Sequence, residues 1–151
     1  MGLVDRFEAA YMRLHGSLYV RTDGRVGHGM LVTVPSLLLR TTGRRSGAPR
    51  TTALSYARDG DDYVLVASNG ARPNSPGWYF NLSADPRVEL QVGRRRFSAV
   101  ARTVGKGEPD YERLWRVVNA ANHGRYDAYQ ARTARAIPLV VVHPEPAAQA
   151  D

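Results

Sequence analysis

Residues 36–68, SLLLRTTGRRSGAPRTTALSYARDGDDYVLVAS, contain the clearest strand pattern of the chain. The aliphatic and β-branched residues in this stretch predict three strands, at Ser36–Thr41, Arg50–Ala57 and Tyr63–Ser68. The segments between them are rich in Gly, Arg, Ser and Asp, which is typical of turns. Because connections this short cannot join parallel strands, we expect the three strands to pair antiparallel.

The rest of the chain adds helices and three more strands. A short helix is predicted with Asn74 or Ser75 as its cap, Pro76 at its first position, Trp78 and Leu82 facing inward, and an end before Pro86. Two alternating strands follow, one at Val88–Val92 and one with Phe97, Ala99 and Ala101 on one face. A helix is then predicted from Pro109, with an interruption at His123-Gly124, a second helical piece and a last strand at Ile137–His143.

This order of elements predicts an α+β protein that is mainly β. We expect an antiparallel sheet that closes into a small barrel, with flanking helices that cover its openings. The predicted organisation is an N-terminal amphipathic helix at residues 1–16, a single barrel domain at 17–143 and a flexible tail at 144–151.

Composition excludes several classes of function. A chain of 151 residues with 43% hydrophobic and 23% charged residues is typical of one globular domain. It has no cysteine, which excludes disulfides, thiolate metal sites and a Cys nucleophile. Its four histidines are scattered, so no metal site is predicted. The N-terminus lacks the apolar segment of a signal peptide, so we expect a cytoplasmic protein.

The charge of the chain points to an anionic partner. The formal net charge is +7, and Lys106 is the only lysine among 21 basic residues. Guanidinium groups bind phosphate and carboxylate through two parallel hydrogen bonds, where lysine acts as a point charge. The densest group of arginines lies in Arg40–Arg50, where two glycines permit a tight turn and hydroxyls add neutral donors. The segment lacks the lysine and spacing of a Walker loop.

Three ordered motifs carry a resemblance to a known family. LLLRTTGRRSGAPR, ASNGARPNSPGWYFNLSADPRVEL and ARAIPLVVV together resemble the deazaflavin-dependent nitroreductase family, which comprises split-barrel oxidoreductases of actinobacteria that use coenzyme F-420. The resemblance covers residues 37–142. It implies a split β-barrel similar to flavin reductases and FMN-binding proteins, with a deazaflavin in a groove. It also implies hydride transfer to an electron-poor acceptor such as a quinone, an activated enone or a nitroaromatic.

The resemblance also implies site residues. Those expected to bind the cofactor are Thr42, Gly43, Arg44, Arg45, Ser46, Gly47, Pro49, Arg50, Ala67, Ser68, Asn69, Trp78 and Asn81. Tyr126, Tyr129 and Ser68 are candidate catalytic residues, and Ser55, His123, Tyr126 and Tyr129 are expected to form the substrate pocket. Two positions depart from the family pattern, since many relatives have lysine in place of Asn69 and some have tyrosine in place of Ser55.

Alternatives remain at this point. The same fold is compatible with an FMN-dependent oxidoreductase, and the net charge with a non-catalytic barrel that binds anions or nucleic acid. Because aromatic residues do not alternate with basic ones along the strands, we expect no nucleic-acid partner. The first helix and the basic run Arg94–Arg96 suggest the hypothesis of peripheral contact with the inner face of the membrane. The assembly is expected to be a monomer or a homodimer.

Overall fold

A computed structural model of the chain describes residues 34–146. The strands in these residues are β1 (Ser36–Thr42), β2 (Pro49–Ser55), β3 (Ala57–Asp59), β4 (Asp62–Val66), β5 (Arg87–Val92), β6 (Arg95–Val104) and β7 (Leu139–Pro144). The helices are α1 (Gly77–Ala84), α2 (Tyr111–Ala121) and α3 (Arg125–Gln130), and a short 3-10 turn spans Asn69–Ala71. The predicted N-terminal helix, the loop after it and the end of the predicted tail lie outside the described residues.

The strands form one antiparallel sheet whose two edges are consecutive in the chain. The strand order is β2-β1-β5-β6-β7-β4-β3, so β2 and β3 lie at opposite edges. Only Tyr56 separates these two strands, and its N–H donates to the carbonyl of Pro35 at 3.3 Å. A flat sheet cannot bring its two edges within one residue of each other. The sheet therefore curls into a half-barrel, which confirms the predicted mainly β fold with flanking helices.

Two apolar cores lie on the two faces of this curled sheet. The inner core contains Leu37, Leu39, Leu65, Leu90 and Val140, together with Trp78 and Leu82 of α1. This burial confirms the predicted inward face of the short helix. The second core lies where α2 and α3 cover the outer face of β4 and β7, and it includes Val64, Val141, Leu114, Val118 and Tyr126.

The structure corrects four predicted boundaries in the described region. The strand predicted at residues 50–57 is broken, because Tyr56 carries the chain from one sheet edge to the other. α1 begins at Gly77 with Pro76 before it, and neither Asn74 nor Ser75 caps it. α2 begins at Tyr111 instead of Pro109, after a turn in which the Tyr111 N–H donates to Glu108 O at 3.1 Å.

The fourth correction concerns the last strand, which begins at Leu139 instead of Ile137. The N–H of Ile137 donates to the side-chain oxygen of Gln130 at 2.9 Å, so it does not join the sheet. The strand also continues to Pro144, which was predicted to open the flexible tail.

Candidate active site

The turn between β1 and β2 brings several arginines to one end of the sheet. Its backbone is closed by the N–H of Gly43, which donates to Ala48 O at 2.7 Å, and by the N–H of Gly47, which donates to Gly43 O at 2.8 Å. A Cβ at position 43 would lie 2.9 Å from the Ser46 hydroxyl oxygen and 3.0 Å from the backbone oxygen of Ala48, so a larger residue would force the turn to shift. Gly47 has φ +71°, which also favours glycine. The two glycines therefore set the turn that carries the arginines.

Helix α1 holds this turn in place through Asn81. The side-chain oxygen of the buried Asn81 accepts a hydrogen bond from the backbone N–H of Arg44 at 3.1 Å, and its side-chain nitrogen donates to the Thr41 hydroxyl at 3.2 Å. The guanidinium of Arg44 lies over the ring of Phe80, 5.1 Å from its centroid. Asn81 and Phe80 thus define where the charge of Arg44 lies.

A cavity of about 460 Å³ opens beside the turn, and we call it the basic half of the groove. Its walls are Gly43, Arg44, Arg45, Ser46, Arg50, Thr51, Thr52, Gly77, Trp78 and Asn81. The Ser46 hydroxyl accepts a hydrogen bond from the N–H of Ala48 at 3.1 Å, which leaves its proton available to a ligand. Three guanidinium groups facing one cavity form a site for a phosphate or carboxylate.

A second cavity of about 290 Å³ adjoins the first, and we call it the tyrosine half of the groove. Its walls are Thr52, Ala53, Leu54, Ser55, Val66, Ser68, Asn69, Gly70, Arg72, Pro76, Trp78, Arg125, Tyr126 and Tyr129. Because Thr52 and Trp78 line both halves, the two cavities form one continuous groove. The groove is elongated, with three arginines at one end and an aromatic, partly apolar pocket at the other.

The loop after β4 forms one wall of the tyrosine half and is held from behind by Arg135. The guanidinium donates to the carbonyl oxygens of Ala67 at 3.0 Å, Ser68 at 2.8 Å and Arg72 at 2.9 Å, and to the Ser75 hydroxyl at 3.2 Å. All four acceptors are neutral, and burial lowers the pKa of Arg135 from its usual value. One side chain therefore fixes both ends of this loop.

The same loop has an unusual backbone. Asn69, Gly70 and Ala71 have φ values of +48°, +61° and +63°, which is the left-handed region. Such a conformation costs free energy at Asn69 and Ala71, which carry a Cβ, and persists only where neighbouring contacts impose it. The Asn69 side chain donates to the carbonyl of Asn74 at 2.9 Å, so this residue closes the loop.

Helix α3 supplies the tyrosines of the groove. It is set by two left-handed residues, His123 (φ +56°) and Gly124 (φ +73°), which turn the chain back after α2. Asp127 then anchors α3 to α2, because its carboxylate accepts a hydrogen bond from the Trp115 indole at 2.7 Å and its N–H donates to Asn119 Oδ1 at 2.9 Å. The orientation of α3 is therefore fixed by the turn that precedes it and by the contacts of Asp127 with α2.

The two tyrosines of α3 differ in environment. Tyr126 is 5% exposed, and desolvation raises its pKa to about 12. The positive charge of Arg125 acts in the other direction and lowers this pKa, but its effect is smaller. Tyr129 is half-buried, with its ring centroid 6.3 Å from that of Tyr126. The Tyr126 hydroxyl stays protonated at physiological pH, so it serves as a hydrogen-bond donor and is a weak acid.

The structure separates the predicted site residues into three groups. Most line the groove, including Arg44, Arg45 and Arg50 in its basic half and Ser55, Ser68, Asn69, Tyr126 and Tyr129 in its tyrosine half. Others support its walls without lining it, namely Thr42, Gly47 and Pro49 around the turn and the fully buried Ala67. His123 lies on an exposed turn and lines neither half, so the structure does not bring it into the pocket.

Sequence reasoning missed five residues that matter here: Arg72, Arg125 and Leu54 in the tyrosine half, Thr52 between the halves, and Arg135 behind the loop. Arg135 stands within the ARAIPLVVV motif, and Arg72 within the ASNGARPNSPGW segment. Those two were visible as arginines inside recognised motifs. Arg125 carried no such signal, because its place depends on how α3 is anchored.

The charged side chains that line the groove, among the residues described, are all positive. Among the residues that the structure describes, five arginines and no carboxylate line its two halves. The same described region holds no group of His, Asp or Glu side chains able to bind a metal ion, and none of its helices is long and apolar enough to span a membrane. An elongated ligand with an aromatic head and an acidic tail therefore fits the groove, and the residues present fit a deazaflavin cofactor with a phosphate.

Comparisons with known proteins agree with this geometry. Residues 11–144 match the family model described as F420H(2)-dependent quinone reductase. An F420H(2)-dependent quinone reductase of Mycobacterium tuberculosis is 54% identical over 131 residues, which cover 87% of this chain and 88% of the relative. A solved F420-H2-dependent reductase, FDR-A, superposes with TM-score 0.64 and 36% identity over 72% of this chain and 94% of its own.

A further solved structure, described as a domain-swapped dimer, superposes with TM-score 0.67 and 31% identity, covering 90% of this chain and 99% of its own. The matches extend over most of both chains, so they concern the whole barrel and its groove. They confirm the predicted class, an oxidoreductase that uses coenzyme F-420. The basic turn, the Arg135-held loop and the tyrosines of α3 thus belong to a chain that is a member of the F420H(2)-dependent quinone reductase family.

Proposed function

We propose that this protein reduces quinones with a hydride from reduced F-420, and that the two halves of the groove bind different parts of the reactants. The basic half holds the acidic tail of the cofactor, and the tyrosine half receives its ring and the acceptor. The single observation that carries this proposal is the continuity of the groove at Trp78 and Thr52. The family name of the relatives supports the choice of a quinone.

The cofactor would be held mainly by charge and by the rigid turn. Arg44, Arg45 and Arg50 face the basic half and are the candidate ligands of its phosphate. The Ser46 hydroxyl adds a neutral donor, while Gly43 and Gly47 give the turn its shape. Asn81 acts through Arg44, so it is a positioning residue. The indole of Trp78, between the two halves, is the candidate wall for the ring system.

The acceptor would be oriented by hydroxyl groups. When bound, reduced F-420 supplies a hydride from C5 of its deazaflavin ring. A quinone that takes up this hydride develops negative charge on its oxygen, and the Tyr126 hydroxyl is a donor for that oxygen. Because its pKa is about 12, Tyr126 gives a hydrogen bond more readily than a proton. Tyr129, Ser68 or water in the open pocket then delivers the proton that completes the hydroquinone.

Ser55 shapes the same pocket. It lies at the end of β2, where some members of the family carry tyrosine, and it lines the tyrosine half. A serine leaves more space than a phenol, so this pocket has room for a fused two-ring quinone. Reduction of nitro compounds, known for some relatives, is not part of the proposal.

A stopped-flow experiment tests the proposal. Protein saturated with reduced F-420 is mixed with menadione under anaerobic conditions, and the return of oxidised-cofactor absorbance is followed. The proposal expects rapid, saturable oxidation of the cofactor with one hydroquinone formed per cofactor. Oxidation no faster than with free reduced F-420 would refute it. A nitroaromatic and an activated enone at matched concentration serve as comparison acceptors.

We also propose that the protein forms a homodimer and makes peripheral contact with a membrane. A homodimer is supported by the similar structure described as a domain-swapped dimer. Light scattering on the purified protein would give a mass near 16.7 kDa for a monomer and twice that for a dimer. Peripheral membrane contact through the exposed Arg94–Arg96 hairpin is supported by its charge. Sedimentation with anionic vesicles tests it, and absence of binding at moderate salt would reject it.

A further inference from the structure

Two arginines in the tyrosine half lie outside the basic turn. Arg72 follows the left-handed turn at residues 69–71, and Arg125 is the first residue of α3. Both line the same cavity as Tyr126 and Tyr129. They come from segments far apart in the sequence, so neither local charge nor a basic run explains their common position.

Separate contacts place each of these arginines at the groove. Arg72 lies on the loop that Arg135 holds, and its own carbonyl accepts one of the Arg135 hydrogen bonds at 2.9 Å. Arg125 lies at the start of α3, whose orientation is fixed by Asp127 and by the left-handed residues His123 and Gly124. The backbone of both residues is therefore held before any ligand arrives, which lowers the entropic cost of binding.

The surroundings of the two arginines select against a cation. No carboxylate lines the tyrosine half among the residues described, while hydroxyls from Ser55, Ser68 and Tyr126 do. The other walls are apolar and aromatic, with Leu54, Val66, Pro76 and Trp78 among them. A planar aromatic ring fits between these walls, and a negative group on that ring would meet guanidinium donors.

We infer that Arg72 and Arg125 form an anion subsite in the acceptor pocket, and that the preferred acceptors are quinones that carry an anionic substituent such as a carboxylate. This inference rests on the proposed function, because it names the substrate class of the same pocket. The subsite is separate from the basic turn, which lies at the other end of the groove. If the cofactor instead bound with its tail toward the tyrosine half, the tail carboxylates would meet the same two arginines, so the test must distinguish these two carboxylate sources.

Paired probes isolate the charge. 1,4-Naphthoquinone-2-carboxylate and 1,4-naphthoquinone-2-carboxamide differ in charge and little in shape, and both have the two fused rings that the pocket has room for. Both are titrated by calorimetry into protein saturated with oxidised F-420, where no electron transfer occurs. The wild-type protein should bind the carboxylate about fivefold more tightly than the carboxamide, the factor expected of a solvent-exposed ion pair. That preference should decline as salt is raised.

Three variants assign the preference to the subsite. Arg72→Gln and Arg125→Gln should each remove most of it, because carboxylate binding should weaken more than carboxamide binding. Arg94→Gln, at the exposed turn between β5 and β6, makes the same change of charge outside the groove and should leave the preference intact. In a parallel titration with F-420, Arg125→Gln should lower the affinity much less than Arg50→Gln does.

Several results would overturn the inference. Equal wild-type affinity for the two probes would do so, as would a preference that survives Arg72→Gln and Arg125→Gln. Weakened F-420 binding in Arg125→Gln, as large as in Arg50→Gln, would assign the arginines to the cofactor tail. In a companion stopped-flow measurement with reduced F-420, oxidation of the cofactor by the carboxamide with no advantage for the carboxylate would reject the subsite and leave quinone reduction standing. If neither naphthoquinone binds in the titration or oxidises the reduced cofactor in the stopped-flow measurement, the proposed quinone reduction fails with it.

Discussion

The side-chain oxygen of Asn81 lies 3.1 Å from the backbone nitrogen of Arg44 and 3.4 Å from its guanidinium Nη1. This pair joins α1 to the basic turn, although the two residues are 37 positions apart in the chain. The helix that contributes Trp78 to the centre of the groove thus also holds an arginine at its basic end. One short helix therefore couples the proposed ring site at Trp78 to the proposed phosphate site at Arg44.

Asn81→Ala should weaken F-420 binding without removing any charge. The turn loses its hydrogen bonds to α1, so Arg44 samples other positions, and affinity should fall about tenfold. A fluorescence titration measures the effect. Ser83→Ala is the matched control, because Ser83 is an exposed residue of the same helix whose hydroxyl donates to Tyr79 O. Unchanged affinity in Asn81→Ala would show that the turn holds its shape alone.

Arg44→Ala and Arg50→Ala should each lower F-420 affinity by roughly ten- to a hundredfold, since each removes hydrogen bonds to a charged group. The loss should shrink as salt rises. Arg116→Ala, an exposed arginine of α2 outside the groove, should bind F-420 like the wild type. Wild-type affinity in both turn variants would contradict the role given to the turn.

Tyr126→Phe should lower kcat by about tenfold or more, because it removes a donor to the oxygen that gains charge. The Kd for F-420 should stay within about twofold, since the phosphate contacts lie elsewhere. Tyr111→Phe is a suitable control, because Tyr111 is also buried and its hydroxyl donates to Ile137 O at 2.5 Å away from the groove. Equal kcat in Tyr126→Phe and wild type would remove the tyrosine from the mechanism.

Arg135→Lys should loosen the loop that carries Ser68 and Arg72. One ammonium group cannot satisfy four acceptors spread over residues 67–75 in the geometry of a guanidinium. Hydrogen exchange at the Ala71 and Arg72 amides should therefore accelerate, and the KM for the acceptor should rise more than the Kd for F-420. In Arg116→Lys both quantities should match the wild type. Slow exchange retained in Arg135→Lys would indicate that other contacts hold the loop.

Stability should fall at alkaline pH. Burial raises the pKa of Tyr111 and of Tyr126 to about 12, above the ordinary value of 10.0, so the unfolded chain loses these protons first. The free energy of unfolding should be insensitive to these groups below pH 10 and decline between about pH 10 and 12, by up to about 1.4 kcal/mol per pH unit for each tyrosine. Urea denaturation across that range tests this, and Tyr126→Phe should flatten the decline.

The strand pattern was predictable because most strand neighbours are also chain neighbours. β1 with β2 and β5 with β6 are joined by short turns, and alternation along Val88–Val92 marks the face that packs inward. The break at Tyr56 was not predictable from local pattern. No glycine or proline interrupts residues 50–57. The break arises because the curled sheet places β2 and β3 at opposite edges, so the chain must pass from one edge to the other at Tyr56.

The residues of the candidate site were also only partly predictable from the sequence. The basic turn is one contiguous segment, and its glycines and arginines indicate that it binds an anion. Arg44, Arg45 and Arg50 could therefore be predicted from the sequence. Arg125 could not, because its role depends on α3 being anchored to α2 by Asp127 and Asn119. His123 was expected in the pocket for its proximity to Tyr126, but its left-handed backbone turns it to the exposed side.

A comparison of F-420 with FMN tests whether the groove is matched to a deazaflavin with an acidic tail. Purified protein is titrated with F-420 and, separately, with FMN, each at low and at moderate salt. F-420 should bind tightly, with an affinity that falls as salt rises, and FMN should bind much more weakly, because its single phosphate offers fewer contacts to the turn. Preference for FMN, or no binding of either cofactor, would contradict this match.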